Sequence, residues 1–133
     1  MFEKALVARL ASVPAVTAIV ASRVYGGTAP AKAAIPYVTY FRVSTNEQPS
    51  ASLEGGRAQV AWARVQFDAF AKTYQGAKEL DDALRQALAG WSGVLSGQTI
   101  HEVRRLDSRD IYESDLAPPL HRVAADYLVC FKL

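Results

Sequence analysis

Residues 59–71 read Gln59-Val60-Ala61-Trp62-Ala63-Arg64-Val65-Gln66-Phe67-Asp68-Ala69-Phe70-Ala71. The odd positions from Ala61 to Ala71 are all apolar, while Arg64, Gln66 and Asp68 fall on even ones. Successive side chains of a strand point to opposite faces. The run therefore predicts a strand with one face in a core and the other turned to water or to a partner. Trp62 and Phe70 interrupt the polar face. Two large apolar groups on such a face mark a surface that something covers.

Working outward, Tyr37-Val38-Thr39-Tyr40-Phe41-Arg42-Val43 is rich in β-branched and aromatic residues and predicts a strand, with Pro36 at its entry. Ser44 to Gly56 is polar and carries two glycines, and it reads as a long exposed loop joining the two strands. Before these lie Phe2, Leu6, Leu10 and Val13, spaced along one helical face and stopped by Pro14. A short helical turn follows through Val16, Ile19 and Val20, then a loop at Tyr25-Gly26-Gly27-Thr28-Ala29-Pro30. Downstream, Gln75 to Gly90 predicts an amphipathic helix. Ala77, Leu80, Leu84, Ala87 and Leu88 form its apolar stripe, and Lys78, Glu79, Asp82, Arg85 and Gln86 its wet side. A third strand is expected from Thr99 to Leu106 or beyond. A fourth, Leu120 to Leu133, places Val123, Ala125, Tyr127, Val129, Phe131 and Leu133 on one face.

The order is helix, strand, strand, helix, strand, strand. Two hairpins are the simplest pairing. The expected fold is α+β, a four-stranded antiparallel sheet with two main helices packed on one face. Residues 1–133 read as a single domain, a length that suits one core.

Fifteen basic against 13 acidic residues leave a net charge of +2, too balanced for nucleic acid to be the principal partner. Cys130 is the one cysteine, so no internal disulfide is possible, and a small strand residue is the plain reading. The apolar stretch from Val13 to Ala21 is interrupted by Pro14 and Thr17 and falls short of the ~20 residues a span requires. The chain reads as cytoplasmic and soluble, with no membrane partner.

The search for chemistry returns little. Gly26-Gly27 and Gly55-Gly56 do not open helices, so neither forms a phosphate cradle. His101 and His121 could face each other across a hairpin with Asp126 or Glu102, but metal centres want three or four matched ligands. Asp81-Asp82 on the helix and Asp107 with Asp110 in a charged stretch read as solvated charge. Arg104-Arg105, Arg109 and Arg122 form a basic cluster beside Tyr112, with Asp107, Asp110, Glu113 and Asp115 interleaved. Salt bridges between neighbouring subunits fit that mixture better than nucleic acid.

Several strings, read together, carry a resemblance. Arg23-Val24-Tyr25-Gly26 is followed by Ala29-Pro30, then Ile35-Pro36-Tyr37-Val38. Val65-Gln66-Phe67-Asp68-Ala69-Phe70 precedes Thr73-Tyr74 and a helix, and Asp126-Tyr127 sits near the middle of the last strand. In this order the chain resembles the tail-completion, or tail-terminator, family of long-tailed bacteriophages. The match is weakest from Ser96 to Pro119, so no contact there is taken from the family. The resemblance implies an α+β subunit of a homo-hexameric ring at the head-proximal end of the virion tail, assembled in the bacterial cytoplasm. Its implied partners are further copies of itself, the tail tube protein and the head–tail connector or stopper, with DNA passing through the lumen unread. It implies no cofactor and no enzymatic activity.

A ring subunit meets its neighbours through two different surfaces. The candidate subunit-interface residues are Trp62, Arg64, Asp68, Phe70, Arg104 and Arg105. Asn46, Glu47, Gln48, Glu54 and Arg57 are candidates for a loop that orders on assembly. The competing readings are that Trp62 packs on a local helix and the loop has no role, that the chain is a cytoplasmic small-ligand or nucleic-acid binding module, or that it is a small enzyme whose site forms between subunits.

Overall fold

The computed structural model describes residues 1–47, 53–54, 57–58 and 60–133, with only the backbone at 53–54 and 57–58. Its elements are α1 (Glu3–Ala11), α2 (Pro14–Val20), β1 (Val24–Gly26), β2 (Tyr37–Glu47), β3 (Leu53–Glu54), β4 (Arg57–Ala58), β5 (Val60–Ala71), α3 (Tyr74–Leu88), β6 (Gly93–Leu95), β7 (Gln98–Glu113) and β8 (Leu120–Lys132). Six strands form one sheet in the order β1-β2-β5-β8-β7-β6, and β3 pairs with β4 in a separate ribbon. β1 runs parallel to β2, and every other pair is antiparallel.

This corrects the expected architecture. The sheet is six-stranded, mixed and curled, with three helices, and the chain is mostly β. The two hairpins exist as β2–β5 and β7–β8, but three-residue strands extend the sheet at both ends. Strands that short carry no readable alternation, and Tyr25-Gly26 of β1 had the composition of a loop. Bulges at Val43 in β2 and at His101 and Leu106 in β7 add one residue each, which bends the strands and strengthens the twist.

The expected loop after Val43 is also revised. Ser44 to Glu47 continue β2, with Asn46 opposite Trp62 and Glu47 opposite Ala61. Glu54 pairs with Arg57 across the β3–β4 ribbon, and Gln48 lies outside the described residues. Pro14 ends α1 and opens α2, where its fixed φ suits a first helical position. At the start of α3 the Thr73 hydroxyl accepts a hydrogen bond from the Gly76 N–H at 3.0 Å, satisfying a donor the helix cannot.

The core lies between the helices and one face of the sheet. Phe2, Leu6 and Leu10 of the α1 segment, Val16 and Val20 of α2, and Leu80, Leu84 and Leu88 of α3 are buried with Val65, Phe67, Tyr127 and Val129. Phe2 stacks on Phe131 with ring centres 4.2 Å apart, and Phe67 meets Tyr127 edge-on at 5.6 Å. Burying each of the larger side chains contributes about 1.5–3 kcal/mol before chain entropy is counted. With all three helices on this side, the opposite face of β2, β5, β8 and β7 is left without a helical layer.

Candidate functional site

The uncovered face is built by register. Alternation on β5 turns Trp62, Arg64, Gln66, Asp68 and Phe70 away from the core. Across from them on β8 stand Cys130, Leu128, Asp126, Ala124 and Arg122. β7 continues the rows with Glu102, Arg104, Asp107 and Arg109.

A polar network runs over these rows. Arg64 donates from Nε and Nη2 to Asp126 Oδ2 at 2.9 and 2.8 Å, and its Nη2 lies 3.6 Å from Asp107 Oδ1. Gln66 Nε2 donates to Asp68 Oδ1 at 2.8 Å, and Arg109 Nη2 donates to Gln66 Oε1 at 3.1 Å. Arg122 reaches Asp68 Oδ2 at 3.5 Å and Glu113 Oε1 at 2.9 Å. Arg104 donates to Glu102 Oε1 at 2.9 Å and lays its guanidinium over the Trp62 ring at 5.3 Å. Phe70 stacks on Tyr37 at 4.8 Å, with Arg122 over its ring at 5.6 Å.

Gln66, Asp68 and Asp126 are buried although no helix covers them. The arginine stems and the curl of the sheet shield them. Burial pushes the Asp68 carboxyl above its ordinary value and the nearby Asp126 adds to this, while the Gln66 hydrogen bond, Arg122 and Arg109 pull the other way. Burial likewise raises the Cys130 thiol, which suits a passive strand residue. Asp126 Oδ1 and Arg122 Nε are buried and accept or donate no hydrogen bond among the described residues. A groove of about 410 Å³ opens at one end of the face, beside Tyr37, Thr39, Phe70 and Arg122.

The expected site residues divide. Trp62, Arg64, Asp68, Phe70 and Arg104 come together on this face. Of these, Asp68 and Phe70 are already buried within the chain, whereas Trp62, Arg64 and Arg104 keep exposed surface. Arg105 departs to the helix side, where Nη1 donates to Asp81 Oδ1 at 3.0 Å and to Tyr127 Oη at 3.1 Å, and Nη2 donates to Asp81 Oδ2 at 2.8 Å. Asp81, expected to be solvated, is therefore buried in an ion pair. Asn46 and Glu47 are exposed at the far end of β2, and for Glu54 and Arg57 the backbone ribbon alone is described.

Chemically the face pairs charges. Each of its buried carboxylates answers to an arginine. No three of His, Cys, Asp or Glu converge as metal ligands among the described residues. His101 sits at a bulge and His121 opposite Tyr112, at opposite ends of the β7–β8 pair, so they do not meet. Sequence reasoning missed the partnership of Gln66, Arg109 and Asp126 with the expected residues. It followed from β5 lying beside β8, and these strands share no turn that would announce the pairing.

Comparison with known proteins adds two findings. A family model described as "Tail completion protein gp17" matches residues 4–131. The fold recurs in a chain of the virion of a native gene transfer agent particle, with a TM-score of 0.70 and 18% identity over 96% of this chain and 92% of that one. It recurs also in the bacteriophage SPP1 gp17 protein, with a TM-score of 0.54 and 18% identity over 99% and 88%. No curated protein matches in sequence.

Proposed function

The chain belongs to the tail completion protein gp17 family, and from that premise we propose that it closes the tail of a phage or phage-like particle as a ring of identical subunits. The ring, a hexamer in this reading, caps the tail tube at its head-proximal end and offers the head connector a docking surface. DNA passes through its lumen without being read. Tail completion is a structural task rather than an enzyme class, and the charge-paired face gives no reason to add a reaction.

The family match over residues 4–131 carries this reading. The open sheet face supports it. Its carboxylates are paired with arginines and its centre is buried, so it is already built before any partner arrives. Trp62, Arg64 and Arg104 are the expected contact residues with surface left to bury, and Asp68 and Phe70 lie buried further along the same face. The gene transfer agent chain of like fold comes from a whole virion, which agrees with a place in a particle.

Particles made without this protein test the proposal. The expected outcome is tail tubes of uncontrolled length, or tails that fail to join heads. Normal virions in its absence would overturn the reading.

A further inference from the structure

The sheet is sealed at its two ends only in part. β1 covers β2 at Val38–Tyr40, and β6 covers β7 at Gln98–Ile100. Just beyond these, the Gly27 N–H donates to the Tyr40 carbonyl and the Gly90 N–H to the Val103 carbonyl. From Phe41 to Glu47 on β2, and from Arg104 to Glu113 on β7, the outer backbone edge meets no backbone partner among the described residues. An open strand edge is a template for another strand, and proteins that must stay apart guard it with charges, especially Lys, with Pro or with bulges. Neither Lys nor Pro occurs in either stretch, and the charges there are of both signs and mostly paired within the chain. Instead they expose Phe41, Val43, Leu106 and Tyr112, of which Val43 and Leu106 are the extra residues of two bulges.

We propose that copies of this chain join edge to edge, the β2 edge of one pairing with the β7 edge of the next. The inference rests on the ring reading and assigns its seam. Strand direction selects the occupant. β2, β5, β8 and β7 alternate in direction, so β2 and β7 run opposite ways. A second copy turned about an axis roughly along the strands brings its β2 antiparallel to β7, the geometry of every long pair already in the sheet. The contact joins two different edges and leaves each copy one more to offer, as a closed ring requires.

Register supplies a second argument. Through Gln66 and Asp126, Phe41 stands level with Asp107, and through Arg64 and Leu128, Ser44 stands level with Arg104. Without stagger only these short stretches would face each other. Advancing each copy by about four residues sets all of 41–47 against 105–111. Four residues at about 3.3 Å over four strands at about 4.8 Å tilt the strands by roughly 35°, the tilt typical of closed sheets.

Cysteine cross-linking in isolated tails tests the seam. Val43→Cys is combined in turn with Leu106→Cys, Ser108→Cys, Arg109→Cys and Asp110→Cys, with Cys130 replaced by Ala and, in a parallel set, retained because it is buried. Within one chain the two edges lie three strand spacings apart, roughly 14 Å, beyond the reach of a disulfide. Oxidation should give a ladder of dimer, trimer and higher species, and the strongest pair reads out the stagger. A disulfide dimer from a single variant would mean that like edges meet, which overturns the pairing. No ladder from any double variant, in tails that carry several copies each, overturns the seam and leaves the ring standing. One copy per tail removes the ring reading itself. As a second measurement, Val43→Lys or Leu106→Lys should lower incorporation into tails about tenfold. Incorporation equal to wild type overturns the seam.

Discussion

Arg104 and Arg105 are adjacent on β7 and leave it in opposite directions, and their surroundings separate the two faces of the sheet. Arg105 lies under α3, bound through both terminal nitrogens to Asp81 and through one to Tyr127. Burial pushes the Tyr127 hydroxyl up to about 12, so it stays protonated there. Arg104 lies on the open face with more than half its side chain exposed, paired with Glu102 and laid over Trp62. On the covered face charge is completed inside the chain and serves the fold. On the open face the same residue type leaves surface that an assembly can use.

The largest expected effect breaks the covered side. Arg105→Ala strands Asp81 in a buried place without its cation, and a loss of about 3–5 kcal/mol is expected in urea unfolding. Arg104→Ala should leave the unfolding midpoint close to wild type, since exposed pairs contribute little. Equal losses from the two variants would erase the distinction between the faces.

A sharper comparison stays within the open face. Phe70 is buried between Tyr37 and Arg122, so Phe70→Ala should cost about 3 kcal/mol of stability, as a core truncation does. Trp62 keeps exposed surface, and Trp62→Ala should cost less than about 1 kcal/mol, within the range of an ordinary surface change. The order reverses in assembly, where Trp62→Ala should reduce incorporation into tails by more than its stability loss explains. Thermal melts of the free protein, set beside its abundance in purified tails, separate the two effects. If Trp62→Ala costs as much stability as Phe70→Ala, Trp62 belongs to the core.

How much of this was legible follows the same division. Alternation in β5 and β8 and the stripes of α1 and α3 gave the covered face nearly residue by residue, because burial sorts apolar from polar at fixed periods. Asp81 escaped that sorting. It lies one turn after Ala77 and just before Leu84 on the inner side of α3, a position that only a buried cation explains. The same rule explains the division of Arg104 from Arg105, which an alternating strand must send to opposite faces. The open face was harder to read. Trp62, Arg64, Asp68 and Phe70 stood out as a set, but their partners come from β8 and β7 through pairings that no local turn encodes. β1 and β6 were invisible because three residues carry no period.

The smallest effect tests whether the buried centre of the open face is held at a cost. Asp68 is buried there beside Gln66, Arg122, Arg109 and Asp126, and its carboxyl is raised chiefly by burial. A raised value means that the folded chain holds the proton more tightly than the unfolded chain does. The ionised carboxylate therefore works against folding, and that penalty is lifted as pH falls through the folded-state value. Asp68→Asn removes the titration while keeping an oxygen to accept from Gln66. Titrations shared by both proteins cancel in the difference between their unfolding free energies. That difference should move in favour of the asparagine variant as pH rises from the ordinary carboxylate range through the raised folded-state value, and level off above it. Parallel curves would mean that Arg122 and Arg109 fully compensate the burial, and the open face would then be as well neutralised as the covered one.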